Sequence, residues 1–474
     1  MAADSSAARG GSRGSPNLVW VAGLTLLLNA LASLTFTAVS VATPFIGSAL
    51  SINAQDELWL TDAFLIALIC VTPLSGYLLT KLSMKRLLLL GALGTTVFFT
   101  LGAFAPTLPL ITAACFLVGL CSGVLAPATQ VLVLSSYPEQ ERATAMAVWG
   151  AGTTLGILAG AALTGFLIQT VSWQSVFLTG VPLGLVACAG VLLLRLPVGS
   201  NTGETARADR VELILLLTSI LSLGVFLNLG DNYGWFRSPF IIMMSFLSVG
   251  SLFAYGRYKT WHPGGVLDFA VLKDAPFKAA AVLTLGSAFF STGQFEIDLL
   301  GGPLAVPPDV LSLRSSLGGL SLLAGVVLGG FLLRRVSPKL LASFSLVIAL
   351  VGKFAFTRYG PGMSTFDIVW PQAVSGFGLG LLATALAVMA YVTLAKPLTQ
   401  DGASLFVTAT QLGYAFGVAV LGIILNFLQT HAGTGTPEHT LRPFLDIFWV
   451  EFVSTALLIP LLLLVDIPKK VHQW

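Results

Sequence analysis

Three carboxylates, Asp62, Glu296 and Asp298, fall inside long apolar runs of this 474-residue chain. A charge at the centre of a bilayer costs roughly 2.5–3.5 kcal/mol on insertion scales, so such a group has a partner, a water-filled cavity or a task. The task open to a carboxylate there is to take up and release a proton, or to hold a cation. Asp298 lies on a polar stripe with Ser287, Ser291 and Gln294. Their spacing of four, three and four puts all of them on one helix face. Glu296 is two residues from Asp298 and points across the helix. A second stripe, Asn29, Ser33, Thr37 and Ser40, marks the first apolar run, and Gln372, Gln411 and Tyr414 add polar groups to two late ones. Asp298 is expected to face a cavity and carry a proton, with Glu296 and Asp62 as further candidates. The Ser/Thr stripes read equally as cavity lining or as hydrogen bonds between helices.

Other chemistry is poorly supplied. His262, His431, His439 and His472 all fall in loops or a tail, so no general base is positioned inside the chain. Cys70, Cys115, Cys121 and Cys188 lie inside apolar runs without CxxC spacing, which gives neither a disulfide framework nor a metal site. No nucleophile elbow and no phosphate-binding Gly loop with Lys is found. An enzyme is therefore not expected, and no cofactor is implied.

The elements that carry these residues are apolar helices. Hydrophobic residues make up 55% of the chain and charged residues 9%, against about 25% charged in soluble domains. A bilayer core takes about 20 apolar residues per helix. Fourteen spans are long enough: 18–46, 57–79, 87–105, 110–133, 143–168, 173–194, 211–229, 239–255, 279–302, 310–333, 340–356, 366–395, 403–428 and 444–465. Residues 1–17 read as a disordered tail, and the longest loops as 196–210, 256–278 and 429–443. An even span number puts both termini on one side. Nearly all of the 24 Lys and Arg fall on that same side. The other side carries Arg237, Arg314, Arg358 and Arg442, while Lys353 lies within a span and is expected to snorkel outward. Both termini are thus expected in the cytoplasm, in a plasma (cytoplasmic) membrane. The net charge of +3 is orientation and not a nucleic-acid footprint. The lipid bilayer is the expected partner and the expected state is a monomer.

The chain repeats itself. Gly76-Tyr-Leu-Leu-Thr-Lys-Leu-Ser-Met-Lys85 after the second span echoes Gly330-Phe-Leu-Leu-Arg-Arg-Val-Ser-Pro-Lys339 after the tenth. Pro138-Glu-Gln-Glu-Arg142 echoes Pro397-Leu-Thr-Gln-Asp401, each opening an Ala-containing helix. These echoes predict two six-helix pseudo-symmetric bundles, 18–195 and 279–466. A linker, 196–278, carries two inserted helices, and a cytoplasmic tail follows at 467–474. A duplicated six-helix unit with a site at the midplane between its halves is a transporter architecture.

Further stretches fit the same pattern. They include Ala42-Thr-Pro44, Trp59-Leu-Thr, Pro73-Leu-Ser-Gly76, Gln130-x5-Ser136-Tyr-Pro-x3-Arg142 and Trp173-x3-Phe177. Gly230-Asp-Asn-Tyr-Gly-Trp235, Trp370-Pro-Gln372 and Ala403-Ser-x6-Gln411-x-Gly413 complete the series. In this order they resemble the major facilitator superfamily, and within it the fourteen-helix drug:proton antiporter group. The resemblance implies an all-α integral membrane fold and a secondary active exporter of amphipathic small molecules, driven by a proton gradient through alternating access. A lipid or lysolipid flippase, or a dedicated metabolite or siderophore exporter, is the alternative. By the resemblance the loop with Gly76, Lys81, Lys85 and Arg86 latches a gate against acids such as Glu139 or Glu141, with Arg142 in the same gating set. Gly152, Gly156 and Gly160 form a close-packing face that suits helix contact during rocking.

The chain departs from the family pattern at four places. Thr80 stands where the loop usually has an Asp, Thr35 where helix one usually has one, Cys115 at the helix-four Arg, and Ile157 at a helix-five Pro. The first three changes remove groups that bind charge or protons, so coupling by the usual residues does not carry over.

Overall fold

A computed structural model describes residues 18–194, 209–230, 232–262, 265–290, 293–431 and 437–464. The described residues are helical, without strands. Thirteen helices are long and apolar enough to cross a membrane. In chain order they are α1 (Leu18–Ala49), α2 (Trp59–Lys81), α3 (Met84–Gly102), α4 (Leu108–Ser136), α5 (Glu141–Thr170), α6 (Trp173–Leu193), α7 (Arg210–Leu229) and α8 (Pro239–Trp261). After the ninth span come α10 (Asp309–Leu332), α11 (Pro338–Phe356), α12 (Thr365–Tyr391), α13 (Lys396–His431) and α14 (Thr440–Leu463). The ninth span, α9, is a helix in two pieces, Ala275–Phe289 and Gly293–Gly301.

Two bundles of six stand on either side of the inserted pair in the chain; α7 packs on α2 and α13, and α8 packs on α7. α1 packs on α5 as α9 packs on α13, and α2 packs on α4 as α10 packs on α12. The pairs α3–α4 and α11–α12, and α3–α6 and α11–α14, repeat likewise. Each pairing recurs eight helices later, as an internal two-fold requires.

Backbone proximity sets the tightest contacts. A Cβ at Gly152 would meet the Leu26 carbonyl at 2.5 Å, and one at Gly160 would meet the Leu34 carbonyl at 2.9 Å. Gly156 lies against Ala30 between them. The three glycines therefore join α5 to α1 inside the first bundle and are not a surface between bundles. Gly413 and Gly417 repeat the device in the second bundle, against Leu285 and Phe289 of α9. Small residues are what such close helix approach demands in a membrane, where burying apolar surface offers no drive.

The decapeptide echo resolves into three structural parts. Ser83 and Ser337 are N-caps, accepting from the backbone N–H groups of Arg86 and Leu340. Lys85 Nζ donates to the Leu192 carbonyl at 2.6 Å, and Lys339 Nζ to the Leu463 carbonyl at 2.9 Å. Each lysine thus caps the last helix of its own bundle, where a cation satisfies free carbonyls. Ser83→Ala and Ser337→Ala are each expected to cost about 1 kcal/mol, read as a lower melting temperature in detergent. An unchanged melting temperature would remove the caps from the account of the echo.

One of the expected loops is shorter than its sequence suggests, while 195–208 and 432–436 of the other two lie outside the described residues. The segment 256–278 is largely structured. α8 runs on to Trp261, Phe269–Lys273 forms a tight helical turn, and α9 starts at Ala275. A loop this close to the apolar core satisfies its backbone with caps, here Asp268 and Asp274.

Candidate functional site

The hydrogen bonds that join the two bundles cluster at the end bearing the basic loops, called here the basic end. Ser404 Oγ on α13 lies 2.8 Å from Ser75 Oγ on α2 and accepts the Gly76 backbone N–H at 2.8 Å. A Cβ at Gly76 would press on Ser404 Oγ at 2.9 Å and on the Gln400 carbonyl at 3.2 Å. On the other side of the pseudo-two-fold, Gly330 of α10 sits on Ala147 of α5, and Arg334 Nε donates to Thr144 Oγ1 at 3.0 Å. The two echoes of the sequence therefore meet crosswise: the Gly76 loop meets the helix after Pro397, and the Gly330 loop meets the helix after Pro138.

Among the described residues, no ion pair joins Lys81, Lys85 or Arg86 to Glu141, which is exposed. The Glu139 side chain lies outside the described residues. Lys81 sits over the Tyr77 ring, and Arg142 Nε donates to the Tyr137 carbonyl. What the described residues show at this loop is a close backbone approach and serine hydroxyls: Gly76 lets α13 in so closely that hydroxyl-to-amide bonds form directly.

Inside the second bundle lies a buried charge network. Glu296, on the second piece of α9, pairs with Arg314 of α10, and the two are 4% and 2% exposed. Arg314 Nη2 also donates to Gln372 Oε1 on α12 at 2.9 Å. Its guanidinium lies 5.9 Å from the Phe356 ring centre, and Tyr359 donates its hydroxyl to the Ile368 carbonyl beside it. Arg314 is therefore not a loop cation, as its place near a span end suggested; its partner Glu296 draws it into the bundle. Asp298 points the other way, exposed, and accepts from Gln294 Nε2 at 3.0 Å.

Lys353 departs from expectation in the same manner. It does not snorkel to the headgroups but is 3% exposed and pairs with Glu451 of α14 at 3.0 Å. It also donates to the Phe290 carbonyl, at the break in α9. The carbonyl freed by the helix break and the nearby carboxylate together satisfy the ammonium more fully than a distant interface.

The remaining candidates scatter. Asp62 is half-buried and accepts from Asn232 Nδ2, beyond α7, at 3.1 Å. Asn29 is buried, donates to the Thr25 carbonyl and accepts from Thr129 Oγ1 at 3.4 Å, while Trp149 Nε1 donates to the same hydroxyl at 3.0 Å. Ser33 and Thr37 lie against the Gly156 and Gly160 contacts. Gln411 is half-buried with its Oε1 unpartnered, Tyr414 is exposed, and Ser291 lies outside the described residues. At the departures from pattern, Thr35 donates to the Ala32 carbonyl and Cys115 is a buried free thiol. No group of three or more metal-ligating side chains exists among the described residues.

The family model of the Major Facilitator Superfamily matches residues 25–299, more than half of the chain. The chain belongs to the Major Facilitator Superfamily. Members of this superfamily are membrane transporters, not enzymes, and this one is a multi-pass transporter of small molecules. Among its relatives is a probable actinorhodin transporter of Streptomyces coelicolor, 27% identical over 404 residues, covering 82% of this chain and 69% of the relative. Another is the multidrug efflux pump LfrA of Mycolicibacterium smegmatis, 26% identical over 447 residues, covering 90% and 85%. The solved structure of the human organic anion transporter MFSD10 (TETRAN) is 14% identical and superposes with a TM-score of 0.65, covering 94% of this chain and 100% of that one. At that identity the likeness concerns the superfamily fold alone. The buried pairs Arg314–Glu296 and Lys353–Glu451 escaped the sequence reading. The available signal was a cation and an acid inside spans at matching depth.

Proposed function

We propose that this superfamily member is a proton-coupled exporter of amphipathic small molecules, working by alternating access between the bundles 18–195 and 279–466, with 196–278 as an inserted linker. In this reading both termini and the basic end face the cytoplasm, the membrane is the plasma (cytoplasmic) membrane, and the unit is a monomer. The bundles are joined at the basic end, so the present conformation is the one closed to the cytoplasm.

The observation that carries the coupling reading is the buried Glu296–Arg314 pair on a broken helix. A carboxylate whose partner depends on helix position can hold a proton in one conformation and an arginine in the other. Asp298 and Asp62 are the second and third carboxylates in line, for cation contact at exposed and half-buried positions. LfrA, by its name a multidrug pump, supports the polyspecific reading. The actinorhodin relative supports the runner-up, a dedicated exporter of one metabolite.

The test uses the purified chain in proteoliposomes with an imposed pH gradient and a panel of cationic, anionic and neutral amphiphiles. Uphill movement of several cationic members is expected, abolished by Glu296→Gln, with ligand-induced thermal stabilisation retained. Asp298→Asn and Asp62→Asn run alongside. Retained uphill transport in Glu296→Gln would move the coupling role to one of them, and a single accepted compound would favour the dedicated exporter.

A further inference from the structure

The inserted pair α7–α8 does more than separate the bundles. Glu212, two residues past the start of α7, is 3% exposed. Its carboxylate takes Lys259 Nζ of α8 at 3.0 Å and the Val266 backbone N–H at 2.9 Å. Gly265 makes this possible. Its φ is +105°, and a Cβ there would sit on the Glu212 carboxylate. Residues 265–274 then run as a strap from α8 to α9. Val266 and Leu267 are buried in one cluster with Leu216 and Tyr255 of the insert, and Leu74 and Tyr77 of α2 and Leu405 of α13 pack against that cluster. Farther on, the Asp268 backbone N–H donates to the Asp401 carboxylate at the start of α13. Asp274 caps α9 and accepts from Thr393 Oγ1 beyond α12 at 2.7 Å.

These contacts place the cluster of strap and insert residues across the same seam. Leu74 and Tyr77 flank Gly76, and Leu405 follows Ser404, the two residues that join α2 to α13. The strap is thus built into a cluster that both bundles pack against, and it is tied to the insert by Glu212 and to the second bundle by Asp401. When the bundles part at the basic end, α2 and α13 separate, and the cluster cannot keep both contacts. It must release one side.

We propose that the strap 265–274, anchored by Glu212 through Gly265 and by Asp401, is a clamp that holds the basic end closed, so that Glu212 and Asp401 are positioning residues for the transport cycle. The proposal rests on the alternating-access reading above. It assigns the two extra helices a part in that cycle, as the base from which the clamp is held. Loosening the anchor shifts the population of the gate, because a ligand or mutation moves a two-state equilibrium by its differential contacts with the two states.

The experiment reads the seam directly. Spin labels go on the exposed positions Thr80→Cys, at the end of α2, and Lys396→Cys, at the start of α13, and distance distributions are recorded in detergent without substrate. The parent protein should give a short population with a minor long one. In Glu212→Gln, Asp401→Asn and Gly265→Ala the ratio of long to short should rise about tenfold, the factor that about 1.4 kcal/mol represents. Glu212→Gln and Asp401→Asn add no heavy atoms, so they keep the test alive if the glycine variant does not fold. Folded variants with lower melting temperatures and unchanged distances would overturn the clamp and leave the strap as packing alone. The labels report gate geometry without cargo or gradient. A moving gate in a protein that fails to transport uphill would sink the exporter reading and leave the clamp standing.

Discussion

Arg314→Met is expected to destabilise the second bundle by about 3–5 kcal/mol, the cost of stranding one partner of a buried ion pair. Glu296 would remain 4% exposed, on a short helical piece with no other cation recorded against it. Gln372 Oε1 would lose its donor as well, at about 1–3 kcal/mol for a buried acceptor left unmade. The double variant Arg314→Met/Glu296→Leu removes both charges, and exchanging a buried pair for apolar side chains is often neutral. It is therefore expected to recover most of the melting temperature and none of the uphill transport. Thermal melting in detergent and gradient-driven uptake separate the two effects. Recovery of uptake in the double variant would show that the pair is structural and that protons pass elsewhere.

The second large effect is expected at the α1–α5 contact. In Gly156→Val the first added carbon falls on the Ala30 backbone, 2.9 Å from its Cα, and the branch reaches Ser33. A backbone cannot turn aside as a side chain can, so α1 must retreat along its length. The Gly152 and Gly160 contacts go with it. Overpacking of this kind costs typically about 1–3 kcal/mol in cores, and more where backbone blocks relaxation. Little monodisperse protein is expected from expression. Gly165→Ala on the same helix has open space within 4 Å and serves as the control. If Gly156→Val elutes and melts like the control, the close-packed face has been misread.

The helical spans and the duplicated architecture were legible in the sequence because they rest on local composition. A run of about 20 apolar residues announces itself, and a repeated loop does so too. Gly76 and Gly330 were visible as echoes. Their partners were not, because each lies in the opposite bundle and no local pattern records a crosswise contact. Arg314 was read as a loop cation because it stands a few residues from the end of its span, and charges there usually reach water. Only the position of Glu296 across the gap decides that this one does not. Lys353 carried the same ambiguity, resolved by Glu451 nearly a hundred residues away. The break in α9 had no flag beyond Phe289-Phe290 and a following Ser-Thr-Gly, which apolar windows average away. The strap was hidden for the opposite reason: Pro263-Gly264-Gly265 looks like any polar turn, and its buried Val266 and Leu267 are too short a run to register.

The crosswise seam also has a consequence for biosynthesis. Gly76 and the Ser404 hydroxyl that receives its N–H are 328 positions apart. At roughly 5–20 residues per second, the ribosome needs about 15–65 s to deliver the second after the first. Throughout that interval the Gly76 amide near the end of α2 waits for a helix not yet made, while the Ser75 hydroxyl is held by the Thr72 carbonyl of its own helix. A nascent first bundle is thus a good client for any membrane factor that recognises unpaired polar groups at a helix end. Its exposure ends only when the penultimate helix arrives, so ribosome pausing anywhere between α2 and α13 should increase degradation of the chain, and pausing after α13 should not.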